Sequence, residues 1–344
     1  MQAAVLYGRE DVRLESVPVP QVQRGEILVR VRTALTCGTD VKVFRRGYHA
    51  KMIRPPALFG HEMAGDVVAT GEDVAQFRVG DRVVAANSAP CDLCFFCQRG
   101  QQNLCEDLLF NNGAYAEFIR LPERIVAKNT YLIPGNVDYK DAALAEPLSC
   151  ALRGLDQTNL GPGNTIAIMG LGPIGLMFVR LAKYTYGARV IAIARRQEQI
   201  DRALVLGADE GILIGDNNAL ISELKARTHG RGADVVIEAI GHPDIWELAT
   251  KLVRKGGVVN FFGGCPTGAK VGLDTSLLHY SEITCKATFH HTPAHIRRAL
   301  ELIAGGVVNA THLVNHEEPL TQLPQILRDL AQRRNGQIKT AIIP

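Results

Sequence analysis

The chain has 344 residues, of which 47% are hydrophobic and 21% charged, a composition typical of globular proteins that excludes the disordered and fibrous classes. Its length exceeds what one hydrophobic core usually serves, so two domains are expected. The 38 basic and 35 acidic residues leave a net charge of +3 and are dispersed, without the long basic block that nucleic acid favours.

The opening MQAAVLYGREDVRLE carries charge early and lacks an apolar run ending in small residues, so it does not read as a secretion signal. The longest apolar stretch, 165–182, is broken by Gly170, Gly172, Pro173, Gly175 and Arg180, so no membrane span is expected there. A cytoplasmic location follows as the expectation, and there the 8 cysteines are thiols or metal ligands rather than disulfides.

Up to about residue 128 the chain is made of short alternating runs, such as 27–33 and 64–70, separated by Gly and Pro turns, which predicts an all-β stretch. Within it, Cys37 in TCGTD and His61 in FGHEMAG supply one thiol and one imidazole. A catalytic zinc takes three protein ligands and keeps one position open. Glu62, next to the histidine, and Glu146, in AEPLSC, both qualify as the third. Taken singly, a cysteine and a histidine are as readily buried core residues. Arg45, Arg46, Lys51 and Arg54 follow the first of these motifs and read as a solvated basic loop.

The run CDLCFFCQRGQQNLC places Cys91, Cys94, Cys97 and Cys105 close enough to converge on one tetrahedral ion. Four thiolates saturate a zinc ion and leave no room for water, so this predicted site is a scaffold, and any reaction needs a second site.

The texture changes near residue 150. From 165 onward strand-like runs (165–169, 189–194, 233–240, 258–263) alternate with helical patterns (174–184, 198–206), predicting a parallel sheet wrapped by helices. At GLGPIG a strand runs into Gly170, Gly172, Pro173, Ile174 and Gly175 and a helix opens. The first glycine allows the tight turn, the second lets backbone approach a pyrophosphate, and the third lets helix lie close on strand, which predicts dinucleotide binding. At the tip of the next strand an acidic residue ordinarily binds the ribose 2′-hydroxyl, but here Ala194 is followed by Arg195 and Arg196. The missing carboxylate and the two guanidinium groups favour NADP(H). The alternative is NAD(H) bound without an acidic clamp, with both arginines solvated. His290, His291 and His295 lie around an expected helix start at Pro293 with no cysteine or carboxylate accompanying them, and no third ion is assigned to them.

In order, TCGTD, GHE, the four-cysteine run, EPL and GLGPIG resemble the zinc-dependent medium-chain dehydrogenase/reductase superfamily, particularly its polyol (sorbitol-like) and threonine dehydrogenase branch. GDRV at 80–83, DVVIEAIG from Asp234 and KGGVVNFFG from Lys255 agree, so the resemblance spans essentially the whole chain. It implies an α/β protein with a β-rich second domain: a GroES-like catalytic domain formed by 1–150 and 286–344, a Rossmann doubly wound parallel sheet at 151–285, and an active site between the two. It further implies an enzyme with two zinc ions per chain, one catalytic and one structural, that transfers hydride between NADP(H), or NAD(H), and a secondary alcohol or ketone.

By carry-over, Cys37 and His61 hold the catalytic zinc with Glu62 or Glu146, and Thr39 accepts the substrate proton, although Thr39 could instead cap a helix beginning at Asp40. Cys150, close to Glu146, is then a pocket or core residue. The substrates implied are polyols, sugar alcohols or cyclitols, with threonine, amino alcohols or simple secondary alcohols as alternatives, and relatives form homotetramers or homodimers. Lys42 stands where many relatives carry a relay histidine, His290 stands where polyol dehydrogenases commonly have an arginine, and the loop after the cysteine run is short, so a sorbitol-like hydrogen-bond pattern is not expected. A zinc-free reductase would lack Cys37, His61 and Glu146, and a non-catalytic zinc- and nucleotide-binding protein on this scaffold would have lost a ligand or the glycine turn.

Overall fold

The computed structural model describes residues 1–49, 51–332 and 338–344. The chain forms two compact units, one made of Met1–Ser149 with His291–Pro344 and the other of Cys150–His290. The second change of unit thus falls five residues beyond the expected 285. Among the described residues no helix is long and apolar enough to cross a membrane.

In the first unit the central strand is Ile27–Leu35, buried at Ile27, Val29, Val31 and Leu35. Each such aliphatic side chain contributes about 1.5–3 kcal/mol when taken out of water, so this strand anchors the core. Across the seven-stranded sheet the order is Thr130–Leu132, Arg82–Ala85, Met63–Thr70, Ile27–Leu35, Thr340–Ile343 and His316–Pro319, with Phe118–Leu121 also pairing with the central strand. The residues after 291 belong here because Leu320, Leu323, Ile326, Leu327 and Ile342 share one core with Phe44, Phe59 and Tyr115.

This unit is not all β, as the alternating pattern predicted. Helix Gly38–Arg46 follows the central strand directly. The turn at Cys37 decides. Its side chain accepts from Thr39 N–H while Asp40 accepts from the Cys37 N–H, a reciprocal cap that satisfies two of the first free amides and starts a helix. Cys37 therefore holds the capping position considered for Thr39, and the helix starts at Gly38 rather than Asp40.

In the second unit six parallel strands lie in the order Glu210–Leu213, Arg189–Ala194, Thr165–Met169, Ala233–Glu238, Val253–Phe261 and Thr284–Ala287. In chain order this is third, second, first, fourth, fifth, sixth, the doubly wound arrangement whose switch point lies beside the first strand. Ala167, Met169, Ile191, Ile193, Val236 and Val259 fill the core, which is why these strands read as continuous apolar runs. Helices Pro173–Tyr184 and Gln197–Val205 lie within a residue of the predicted starts.

Candidate metal and nucleotide sites

Antiparallel pairing of Ile27–Leu35 with Met63–Thr70 sets Ala34 opposite Met63, so the residues just beyond one strand meet those just before the other. Cys37, His61 and Glu62 are thereby brought together, each offering one ligand atom, with all three atoms within 4.8 Å of one another. Gly60 makes this corner possible. Its φ is +90°, and an added Cβ would meet the Tyr115 ring at 2.6 Å.

Asp40 ties the corner together. One of its oxygens lies 2.9 Å from His61 Nδ1, while the other accepts from the Cys37 N–H at 3.0 Å and from the Tyr115 hydroxyl at 2.5 Å. Tyr115 O–H has a single proton, and the carboxylate at 2.5 Å takes it in preference to the Leu35 carbonyl at 3.1 Å. A carboxylate bound to one ring nitrogen fixes a histidine's orientation and leaves the other nitrogen for a ligand. For His61, burial alone would push the pKa down, but the charges of Asp40 and Cys37 outweigh it and hold the imidazole well above its usual value. A cation bound to that imidazole would be stabilised by the same two charges.

Glu62 is fully buried and Glu146 nearly so. Glu62 Oε1 has no hydrogen-bond partner among the described residues, and Oε2 lies 2.5 Å from Lys339 Nζ. Burial would lower the Lys339 pKa, yet Glu62 first and then Cys37 hold it above its ordinary value, so the ammonium stays charged. Glu146 lies outside the converging set. It sits on helix Ala145–Asp156, 3.6 Å from His291 Nε2, and burial pushes its carboxyl up to about 7. His291 thus has a carboxylate beside it that sequence distance concealed. A thiol, an imidazole and a buried carboxylate with an oxygen to spare suit a divalent zinc ion.

Cys91, Cys94, Cys97 and Cys105 also converge within 4.8 Å, and all the cysteines are free of disulfides. N–H groups of Leu93 and Cys94 point at the Cys91 sulfur at 3.4 Å, and that of Cys91 points at the Cys105 sulfur at 3.2 Å. Backbone N–H groups of Glu106 and Cys97 draw the Cys94 thiol down to about 6, while burial pushes Cys97 up to about 12. Four sulfurs without a water position suit a structural zinc.

In the second unit, Gly170 follows strand Thr165–Met169 with φ +94°, and Gly172 caps helix Pro173–Tyr184 with Pro173 as its first residue. A Cβ on Gly172 would meet nothing within 4 Å, whereas one on Gly175 would lie 1.9 Å from the Gly170 carbonyl oxygen. Ile174 occupies the first turn of that helix. Ala194 is buried at the end of its strand, and Arg195 and Arg196 are exposed, the latter 3.2 Å from Glu198. Glu238, unnoticed in the sequence, accepts from the N–H groups of Ile240 and Gly241 at 2.8 Å and so fixes the turn that packs Ile240 against Gly170.

Residues 23–134 match the alcohol dehydrogenase GroES-like domain family and residues 173–305 the zinc-binding dehydrogenase family. The chain is 33% identical to sorbitol dehydrogenase of Bacillus subtilis (strain 168), the match covering 100% of this chain and 97% of that protein. It is 34% identical to erythritol/L-threitol dehydrogenase of Mycolicibacterium smegmatis, covering 100% and 98%. Among solved structures, a zinc-binding dehydrogenase of Sinorhizobium meliloti 1021 bound to NADP aligns with a TM-score of 0.91 at 30% identity, covering 100% of this chain and 99% of that one. With both families matched in order and relatives aligned end to end, the chain belongs to the zinc-dependent medium-chain dehydrogenase/reductase superfamily, in its polyol and threonine dehydrogenase branch, a family of enzymes.

Proposed function

We propose that this chain oxidises a secondary alcohol, of the polyol, sugar alcohol or cyclitol class, to the ketone with NADP⁺ as hydride acceptor, and runs the reverse reduction with NADPH. The convergence of Cys37, His61 and Glu62 carries the reading, because it provides three protein ligands of the kinds a catalytic zinc takes. On this reading Met1–Ser149 with His291–Pro344 is the catalytic domain, Cys150–His290 is the nucleotide-binding domain, and the four-cysteine site is structural. The fully exposed edge strand Thr284–Ala287 supports a homodimer or homotetramer.

A zinc ion held by Cys37, His61 and Glu62 would supply Lewis acidity toward the substrate hydroxyl, making its proton easier to lose near neutral pH. Thr39, half-buried in the first turn of helix Gly38–Arg46 two residues from Cys37, accepts that proton on its hydroxyl oxygen and passes its own outward. NADP⁺ held at the glycine turn Gly170–Gly175 would supply the hydride acceptor for the carbinol carbon, so that alcohol and NADP⁺ would give ketone, NADPH and a released proton. Glu146, raised to about 7 by burial, can hold or yield a proton in the same range. Asp40 and Tyr115 orient His61. Tyr115→Phe keeps the ring against Gly60 and removes only the hydroxyl, so it is expected to weaken zinc retention about tenfold. Competition against a chelator measures this.

The test of the reaction is a panel of polyols, cyclitols, threonine, amino alcohols and simple secondary alcohols assayed with NAD⁺ and NADP⁺. Turnover of polyols with NADP⁺ supports the proposal, and absence of turnover with either cofactor overturns it. Buried Ala194 with exposed Arg195 and Arg196 supports the NADP preference. Ala194→Asp is therefore expected to lower kcat/KM for NADP⁺ by about 100-fold, because the new carboxylate repels the 2′-phosphate, and to lower that for NAD⁺ much less. Equal losses for the two cofactors would place the 2′-phosphate elsewhere.

A further inference from the structure

We infer that Lys339 is a positioning residue that holds back one oxygen of Glu62 and keeps this glutamate an exchangeable, one-oxygen ligand of the cation in the Cys37 set. The inference rests on the assignment of Cys37, His61 and Glu62 as ligands. Strand Thr340–Ile343 pairs antiparallel with Ile27–Leu35, with Ala341 opposite Leu35. Thr36 N–H donates to the Thr340 carbonyl at 3.0 Å, and Thr340 N–H donates to the Thr36 hydroxyl at 2.9 Å. This register sets residue 339 beside Thr36, one residue before Cys37.

Lys339 turns inward with its side chain 2% exposed, donates to the Thr36 carbonyl at 2.7 Å and reaches Glu62 Oε2 at 2.5 Å. Burying an ammonium and a carboxylate together costs more than an apolar pair of similar size would, so fold stability alone does not account for this pair. Its consequence is local. A carboxylate with both oxygens free can clamp a divalent cation through two bonds, whereas at Glu62 the Lys339 ammonium sits on Oε2 as an ion pair and, among the described residues, Oε1 has neither an ion-pair nor a hydrogen-bond partner. The ammonium and the cation also share one buried carboxylate and repel each other, which weakens Glu62's hold on the cation. A ligand held in this way can give its place to an incoming oxygen.

The test measures release of zinc from purified holoenzyme to a colorimetric chelator, in which the zinc of the Cys37 set is identified as the phase that Cys37→Ser abolishes. Lys339→Met is expected to slow that phase at least tenfold, and Lys339→Arg, which keeps the charge, to stay within about threefold of wild type. In a Glu62→Gln background, which leaves no buried charge unpaired once Lys339 is also replaced, Lys339→Met is expected to have no further effect. Unchanged or faster release in Lys339→Met, or an equal slowing in the Glu62→Gln background, overturns the role assigned to Lys339. Should Cys37→Ser abolish no phase, the ligand assignment itself fails, a result distinguishable from failure of the Lys339 inference alone.

Discussion

Cys37→Ser is expected to leave Tm within a few degrees of wild type while lowering kcat/KM about 10³-fold or more and zinc content by about one ion per chain. The serine separates the helix cap that Cys37 forms from the ligand role proposed for it. As the cap of helix Gly38–Arg46 it accepts the Thr39 N–H at 3.4 Å, and serine is among the best residues at such a position, so the helix start survives. In the proposed ligand set it would bring a soft sulfur beside one imidazole and one carboxylate, and a hydroxyl would not replace it. Cys37→Ala loses both and is expected to cost about a further 1 kcal/mol in stability from the missing cap. Elemental analysis, thermal denaturation and steady-state kinetics on the two variants check this. A serine variant that keeps both its zinc and its rate would remove Cys37 from the ligand set.

What the sequence makes legible here is what local spacing encodes. The four cysteines lie within one short run, GHE places His61 and Glu62 side by side, and GLGPIG is a strand end, a turn and a helix start in sequence. Each declares its chemistry without knowledge of the fold. Asp40, Tyr115 and Lys339 do not. Tyr115 reaches Asp40 across 75 residues, and Lys339 reaches Thr36 across 303, so both depend on strand register that no local pattern reveals. In sequence each is an ordinary aspartate, tyrosine or lysine. Asp40 was within reach: three residues after Cys37, it could have been read as the reciprocal cap of a helix.

Local pattern also misleads where tertiary packing overrides it. β-Branched Val41 and Val43 favour helix less than most residues, yet helix Gly38–Arg46 buries Val43 and Phe44 in a core shared with helix Leu323–Gln332, a partner far along the chain. The edge strands Glu210–Leu213 and Thr284–Ala287 gave no signal for the opposite reason. The first buries only Ile212 and the second buries none of its residues, so neither carries the apolar run by which the central strands were recognised.

Gly175→Ala and Gly172→Ala are expected to separate fold from cofactor binding at the glycine turn, with the larger total loss at Gly175. A methyl group there would stand 1.9 Å from the Gly170 carbonyl oxygen and 2.9 Å from its carbon. Both are backbone atoms and cannot swing aside as a side chain would. Gly170 is itself held with φ +94°, its N–H on the Ile193 carbonyl at 3.2 Å, so the turn can yield only by lifting helix Pro173–Tyr184 off strand Thr165–Met169. Overpacking of this kind costs about 1–3 kcal/mol, and displacing the amides at the helix start is expected to weaken NADPH binding as well. At Gly172 the reverse holds. Its φ of −79° and ψ of −173° suit any residue, and a Cβ meets nothing within 4 Å, so Tm is expected to stay within about a degree or two of wild type. That open space is where a pyrophosphate would approach the backbone, so the same methyl is expected to weaken NADPH about tenfold or more. Fluorescence titration with NADPH alongside thermal denaturation distinguishes the two variants. If Gly172→Ala leaves cofactor affinity unchanged, the phosphates do not lie against this turn, and the proposed nucleotide site on the second unit is lost with them.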